Sequence, residues 1–159
     1  MNRRASVLGF SLVEVTLALG VAVISLLAIF ALLPVGLRTS QNAIQETISG
    51  NIVSTVVADL RSAPPTLPRG NAATSTQFGI NIPANPVDSA TASTLYLDAD
   101  GHASTSLGAN SRFRLTITFL PNGGSRNATL VDLKTTWPAA ASLTDATGSS
   151  EVFVALDRN

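Results

Sequence analysis

The chain has 159 residues, with ten basic and ten acidic side chains, so its formal net charge is zero. Only 13% of its residues are charged, about half the usual share of about 25% for a soluble domain, and Ser, Thr, Asn and Gln carry the polar surface instead. With no basic stripe outside the N-terminus, this balance gives no electrostatic case for nucleic-acid binding. The absence of cysteine excludes disulfide staples and says nothing about compartment.

The chain opens with Arg3 and Arg4 on a short leader ending at Gly9, followed by Phe10, Ser11, Leu12, Val13 and Glu14. From Val15 to Leu37 no residue is charged, and Thr16 and Ser25 are the only hydroxyls. At about 1.5 Å per residue this run reaches roughly 34 Å as a helix, enough to cross a hydrocarbon core of about 30 Å. A cleaved secretory signal needs a shorter apolar stretch and a small-x-small site, and neither is present. The arginine pair alone is a weak mark of twin-arginine export. Two cations before the span against Arg38 after it favour a cytoplasmic N-terminus and an exported remainder.

Gly9, Phe10 and Glu14, in register behind a short basic leader, resemble the processing motif of type IV prepilins and type II secretion pseudopilins. The resemblance covers about the first 30 residues. It implies cleavage after Gly9 by a membrane peptidase, N-methylation of Phe10 and a role for Glu14 in subunit assembly. It further implies a pilin-like fold and a homo- or hetero-polymer of pilin-like subunits. Other implied partners are the prepilin peptidase and methyltransferase, an inner-membrane assembly platform, and lipid before assembly. The place implied is a bacterial inner membrane with the C-terminal domain periplasmic, then a pilus or pseudopilus. Residues 32–37 (Leu-Leu-Pro-Val-Gly-Leu) together with Trp137 and Pro138 are similar to the pilin-like group called Verru_Chthon cassette protein B, which adds little about function.

The chemistry of these residues stands beside the resemblance. Gly9 offers no side chain, so backbone can approach a protease closely. Glu14 falls in the first turn of the expected helix, where the macrodipole favours an acid. A carboxylate inside a bilayer costs about 2.5–3.5 kcal/mol on insertion scales, so it wants a cation. The amine freed at Phe10 supplies one, from the same chain or from a neighbouring copy; the resemblance implies the neighbour. An acid that snorkels to the headgroups is the plainer alternative.

Past the span, Ile44, Ile48, Ile52, Val56 and Leu60 recur every four residues, with Val53 and Val57 filling the stripe. Gln45, Glu46, Ser49, Asn51, Ser54, Asp59 and Arg61 lie between them, which predicts an amphipathic helix with one buried face. Pro64 stops it, because a residue before proline is pushed out of helical geometry. Pro34 and Gly36 predict a kink or a short melted turn where the two halves join. The composition of residues 66–92 predicts loop, with one short strand around Phe78, Ile80 and Ile82.

Residues 94–97 and 102–106 flank Asp98-Ala99-Asp100-Gly101, a hairpin signal. Residues 112–120 alternate cleanly: Phe113, Leu115, Ile117 and Phe119 oppose Arg112, Arg114, Thr116 and Thr118. Pro121, Asn122, Gly123 and Gly124 turn the chain. Residues 130–137 alternate again and Pro138 ends that strand, while 151–156 form a last one. The expected class is α+β: one long helix packed on an antiparallel sheet of about four strands. The expected organisation is a leader at 1–9, a transmembrane and assembly helix at 10–37, and a globular part at 38–159 that includes the amphipathic half, 38–62.

Catalysis finds little foothold, and no enzyme, cofactor or metal site is expected. His102 is the sole histidine, and no Gly-rich phosphate loop or paired metal-ligand histidines occur. Asp98 and Asp100 resemble the opening of a calcium loop, but no acid stands near the twelfth position and turn chemistry explains them without metal. Asn127-Ala128-Thr129 fits a glycosylation sequon, a motif short enough to recur by chance. Three functions follow: a polymerising structural subunit, a minor or tip pilin that binds a surface or substrate, and an anchored periplasmic binding domain that never polymerises.

Overall fold

A computed structural model describes residues 9–63, 72–83, 88–121 and 128–157. Residues 1–8 of the leader expected at 1–9, Pro64 and Pro65 expected to stop the helix, the turn expected at residues 122–124, and Asn127 of the sequon lie outside the described residues. The elements are α1 (Leu12–Ser62), β1 (Ala73–Thr74), β2 (Asn81–Ile82), β3 (Thr91–Leu97), β4 (Ala103–Ser104), β5 (Phe113–Leu120), β6 (Thr129–Trp137) and β7 (Gly148–Leu156). By internal contacts the chain divides into two units, Met1–Gln41 and Asn42–Asn159.

In the first unit α1 begins after Ser11, whose carbonyl accepts the N–H of Glu14 at 3.0 Å and of Val15 at 3.1 Å. Serine is a favoured residue at this capping position. The two hydroxyls in the apolar run are satisfied by the helix itself: Thr16 Oγ1 donates to the Val13 carbonyl at 2.9 Å and Ser25 Oγ to Val21 at 2.8 Å. The helix is unbroken from Leu12 to Ser62, so the melted turn expected at Pro34 is absent. Proline removes one backbone donor, and long apolar helices tolerate that loss. Among the described residues this is the one helix long and apolar enough to cross a membrane by length and composition.

In the second unit the main sheet has the order β4-β3-β5-β6-β7, every neighbouring pair antiparallel. It has five strands rather than about four; the fifth is β4, a two-residue remnant of the hairpin arm expected at 102–106, paired to β3 through Tyr96–Ser104 and Leu97–Ala103. A separate pair, β1 with β2, replaces the single short strand expected around Phe78. β3 starts at Thr91, inside the stretch read as loop.

The alternation in β5 is translated directly into burial: Phe113, Leu115, Ile117 and Phe119 are buried, and the residues between them are half-buried. On β6, Val131 and Leu133 continue this inner face, and Trp137 meets Phe113 edge to face at 6.1 Å between centroids. From the helix, Ile52, Val53, Val56 and Leu60 join the same core, as do Ile80 and Ile82. Burying one such side chain contributes about 1.5–3 kcal/mol. The buried stripe is shorter than the period-four pattern: Ile44 is exposed and Ile48 half-buried. Ser49 and Asp59, read as part of the polar side, are buried.

Candidate functional site

Gly9, Phe10 and Glu14 are all exposed, with Gly9 and Phe10 in non-helical chain ahead of α1 and Glu14 in its first turn. A peptide bond between two exposed, non-helical residues is accessible to a protease in a way that a helical bond is not. Glu14 makes no ion pair among the described residues.

Every side chain from Phe10 to Leu37 is exposed within this chain, including Leu12, Leu17, Ile24, Phe30 and Leu32. An apolar surface of that extent does not stay in water; it requires lipid or other protein. This is the dominant feature of the first unit.

In the second unit Asp98, Asp100 and His102 form a cluster whose ligand-type atoms lie within 4.8 Å of one another. The Asp98 carboxylate is already occupied: Oδ1 accepts the N–H groups of Asp100 at 3.0 Å and His102 at 2.9 Å, and Oδ2 lies 3.1 Å from His102 Nδ1. Those backbone bonds and the His102 ring hold its pKa below the usual carboxylate value. Gly101, at φ +87°, makes the left-handed step that closes the turn. The donor set fits a self-satisfied turn better than a calcium cage, which takes about six to eight oxygens.

Asp59 is the residue that periodicity missed. It lies in the last turn of α1, where the macrodipole disfavours an acid, and that misfit was the available signal. Burial alone would raise its pKa, but hydrogen bonds from Ser75, Gln77, Phe78 and Thr76 outweigh it and hold the carboxylate below its ordinary value. Oδ1 accepts from Thr76 Oγ1 at 3.1 Å and the Gln77 N–H at 3.0 Å, and Oδ2 from the Phe78 N–H at 3.1 Å. It therefore fastens the turn before β2 to the end of the helix.

Among the described residues a cleft of about 240 Å³ lies beside the Asp98–His102 turn, and two more accompany the sheet. One of about 280 Å³ lies between the helix at Ile48 and Ile52, Phe78, and the Asp100–Gly101 turn. The other, about 420 Å³ and mostly apolar, lies between β2 and the outer part of β3. No protein-family model matches the chain, and neither a curated protein nor a solved structure matches it.

Proposed function

We propose that the chain is the precursor of a subunit of a type IV pilus or secretion-type pseudopilus, cut after Gly9, methylated on Phe10 and polymerised through its N-terminal helix. The observation that carries this reading is the register of Gly9, Phe10 and Glu14 against the apolar part of α1, residues 12–37, in which every residue is exposed. Cleavage would free an α-amine at Phe10, a group that ordinarily titrates at about pH 7.7–8.0, and methylation to a secondary amine keeps it cationic. Glu14 of one copy would then neutralise the terminus of another, offsetting the cost of a carboxylate among apolar helices.

In this account the inner membrane stores subunits with the N-terminus cytoplasmic and the sheet domain outside. The apolar face meets lipid first and other helices after extrusion by an assembly platform. Prepilin peptidase and methyltransferase act before that step. Substituting Glu14→Ala tests the reading in the native cell: membrane insertion persists, while filaments in the sheared fraction fall at least about tenfold, because the neighbour's terminal cation is left among apolar helices without a counter-ion. Undiminished filaments would overturn it. An anchored, non-polymerising binding domain, the competing reading, predicts that Glu14→Ala changes nothing.

A further inference from the structure

We propose that Asp132 and Phe153, opposite one another on the outer face of the sheet, hold an arginine side chain of a partner protein, its guanidinium against the carboxylate and its stem along the ring. The register puts the two together: Asp132 of β6 pairs with Phe153 of β7 and with Thr118 of β5, and Leu120, Leu130 and Ala155 form the next row on the same face. Cross-strand partners carry their Cβ atoms about 4.5–5.5 Å apart, and positions two residues apart share a face. The helix lies on the other face, where Ile52 and Val56 meet Leu115, Ile117, Leu133 and Val154 in the core.

On the outer face Phe153 is 67% exposed, Ala155 is exposed, and Leu120 and Leu130 are half-buried. A phenylalanine open beside three aliphatic side chains is a contiguous apolar patch rather than a lone surface residue. Asp132 gives that patch its sign. It is half-buried, and its Oδ1 has no hydrogen-bond partner among the described residues. The cations of the same face are engaged elsewhere: Lys134 lies 2.9 Å from Glu151, and the Arg114 guanidinium lies over the Tyr96 ring at 5.7 Å. Burial, with Glu151 adding to it, raises the Asp132 pKa, so an incoming cation would relieve a charge that the fold carries at a cost.

Charge complementarity and the ring together select arginine. Its guanidinium is planar, always charged and weakly hydrated, so it can fork a carboxylate while it stacks on an aromatic face. The ammonium of lysine is a compact, strongly hydrated point charge and does the first without the second. The same face already shows arginine against an aromatic ring within the chain, at Arg114 and Tyr96. An apolar residue next to the incoming arginine would rest on Leu120, Leu130 and Ala155. An anionic lipid surface is disfavoured by the carboxylate that attracts the arginine. One partly exposed charge pair is weak, so the contact is transient for a free partner and gains strength where copies of this domain are repeated. Nothing in it draws on the N-terminal helix, so it stands apart from the pilin reading.

Nuclear magnetic resonance of the full-length chain in nonionic detergent, titrated with the peptide acetyl-Leu-Arg-Ala-amide, reads the contact directly. Resonances of Asp132 and Phe153 should shift and saturate, with the lysine analogue binding more weakly and the glutamate analogue giving no shift. Asp132→Asn and Phe153→Ser should each weaken binding at least about threefold, within the range of a partly exposed charge pair or a cation–π contact. The thermal midpoint of Asp132→Asn is expected to be unchanged or higher, so its loss of binding is not a loss of fold. Absence of saturable shifts with the arginine peptide overturns the proposal, as does equal binding of either analogue or undiminished binding by Asp132→Asn. Shifts produced by phosphatidylglycerol vesicles and not by the peptide also overturn it, since lipid would then be the occupant. Binding should be unchanged in Glu14→Ala, so this contact and filament assembly fail separately.

Discussion

Asp59 and Asp132 are carboxylates of the same domain with opposite effects on its stability. Asp59 is buried, and its hydrogen-bond donors pull its pKa below 3.8. The stability it contributes is therefore complete above the unfolded value and is lost as pH falls through the lower folded value. Asp59→Asn should cost about 1.5–3 kcal/mol at neutral pH, the usual range for hydrogen bonds to a charged group, and less at an acidic pH below the lowered folded value. Thermal unfolding in detergent at the two pH values measures this. Asp132, on β6, is pushed upward, first by burial and then by Glu151, with Lys134 opposing, and its Oδ1 has no hydrogen-bond partner among the described residues. Its ionisation weighs against the fold as pH rises through the raised value, so Asp132→Asn should leave the neutral-pH midpoint unchanged or higher. Gly148 shows a third residue-level constraint: it pairs with Trp137 across β6 and β7, and a Cβ there would collide with the indole. Gly148→Ala should therefore lower stability by about 1–3 kcal/mol, as overpacking does.

At the scale of elements, side-chain alternation carried most of the readable signal. β5 and β6 were legible because Phe113 to Phe119 and Val131 to Leu133 switch between core and outer face at period two. The outer half of β3 was not, since Thr91, Ala92 and Ser93 carry no apolar alternation of their own and stay exposed although they pair with β5. Gly148 and Ser149 likewise join β7 through pairing with Trp137 and Thr136 rather than through their own propensity. In α1 the period-four stripe found Ile52, Val56 and Leu60, but sorting residues by polarity misplaced Ser49 and Asp59, whose positions on the helix decide their burial. At Pro34 the melted turn is ruled out by the continuous helix, since proline inside a helix is a cost that a long helix absorbs. The Gly9, Phe10 and Glu14 constellation was legible in full as a spacing; Asp59 as an anchor depends on the turn at 76–78, far along the chain. The core stripe makes its own prediction. Val56 is fully buried, so Val56→Ala should cost about 1–3 kcal/mol, with Ile44→Ala near zero, in the same unfolding measurement.

For the whole molecule, one long helix serves two environments. Residues 10–37 expose an apolar surface that its own chain leaves uncovered, whereas the later stripe closes the core of the sheet domain. The proposed function gives that surface lipid first and other copies afterwards, with Glu14 taking its cation from a processed terminus. That account depends on a terminus created at Phe10. Mass spectrometry of the protein recovered from its native cell reads that terminus directly. The account predicts a mature chain beginning at Phe10 and carrying one added methyl group; an intact chain still bearing residues 1–9 in the assembled fraction would contradict it.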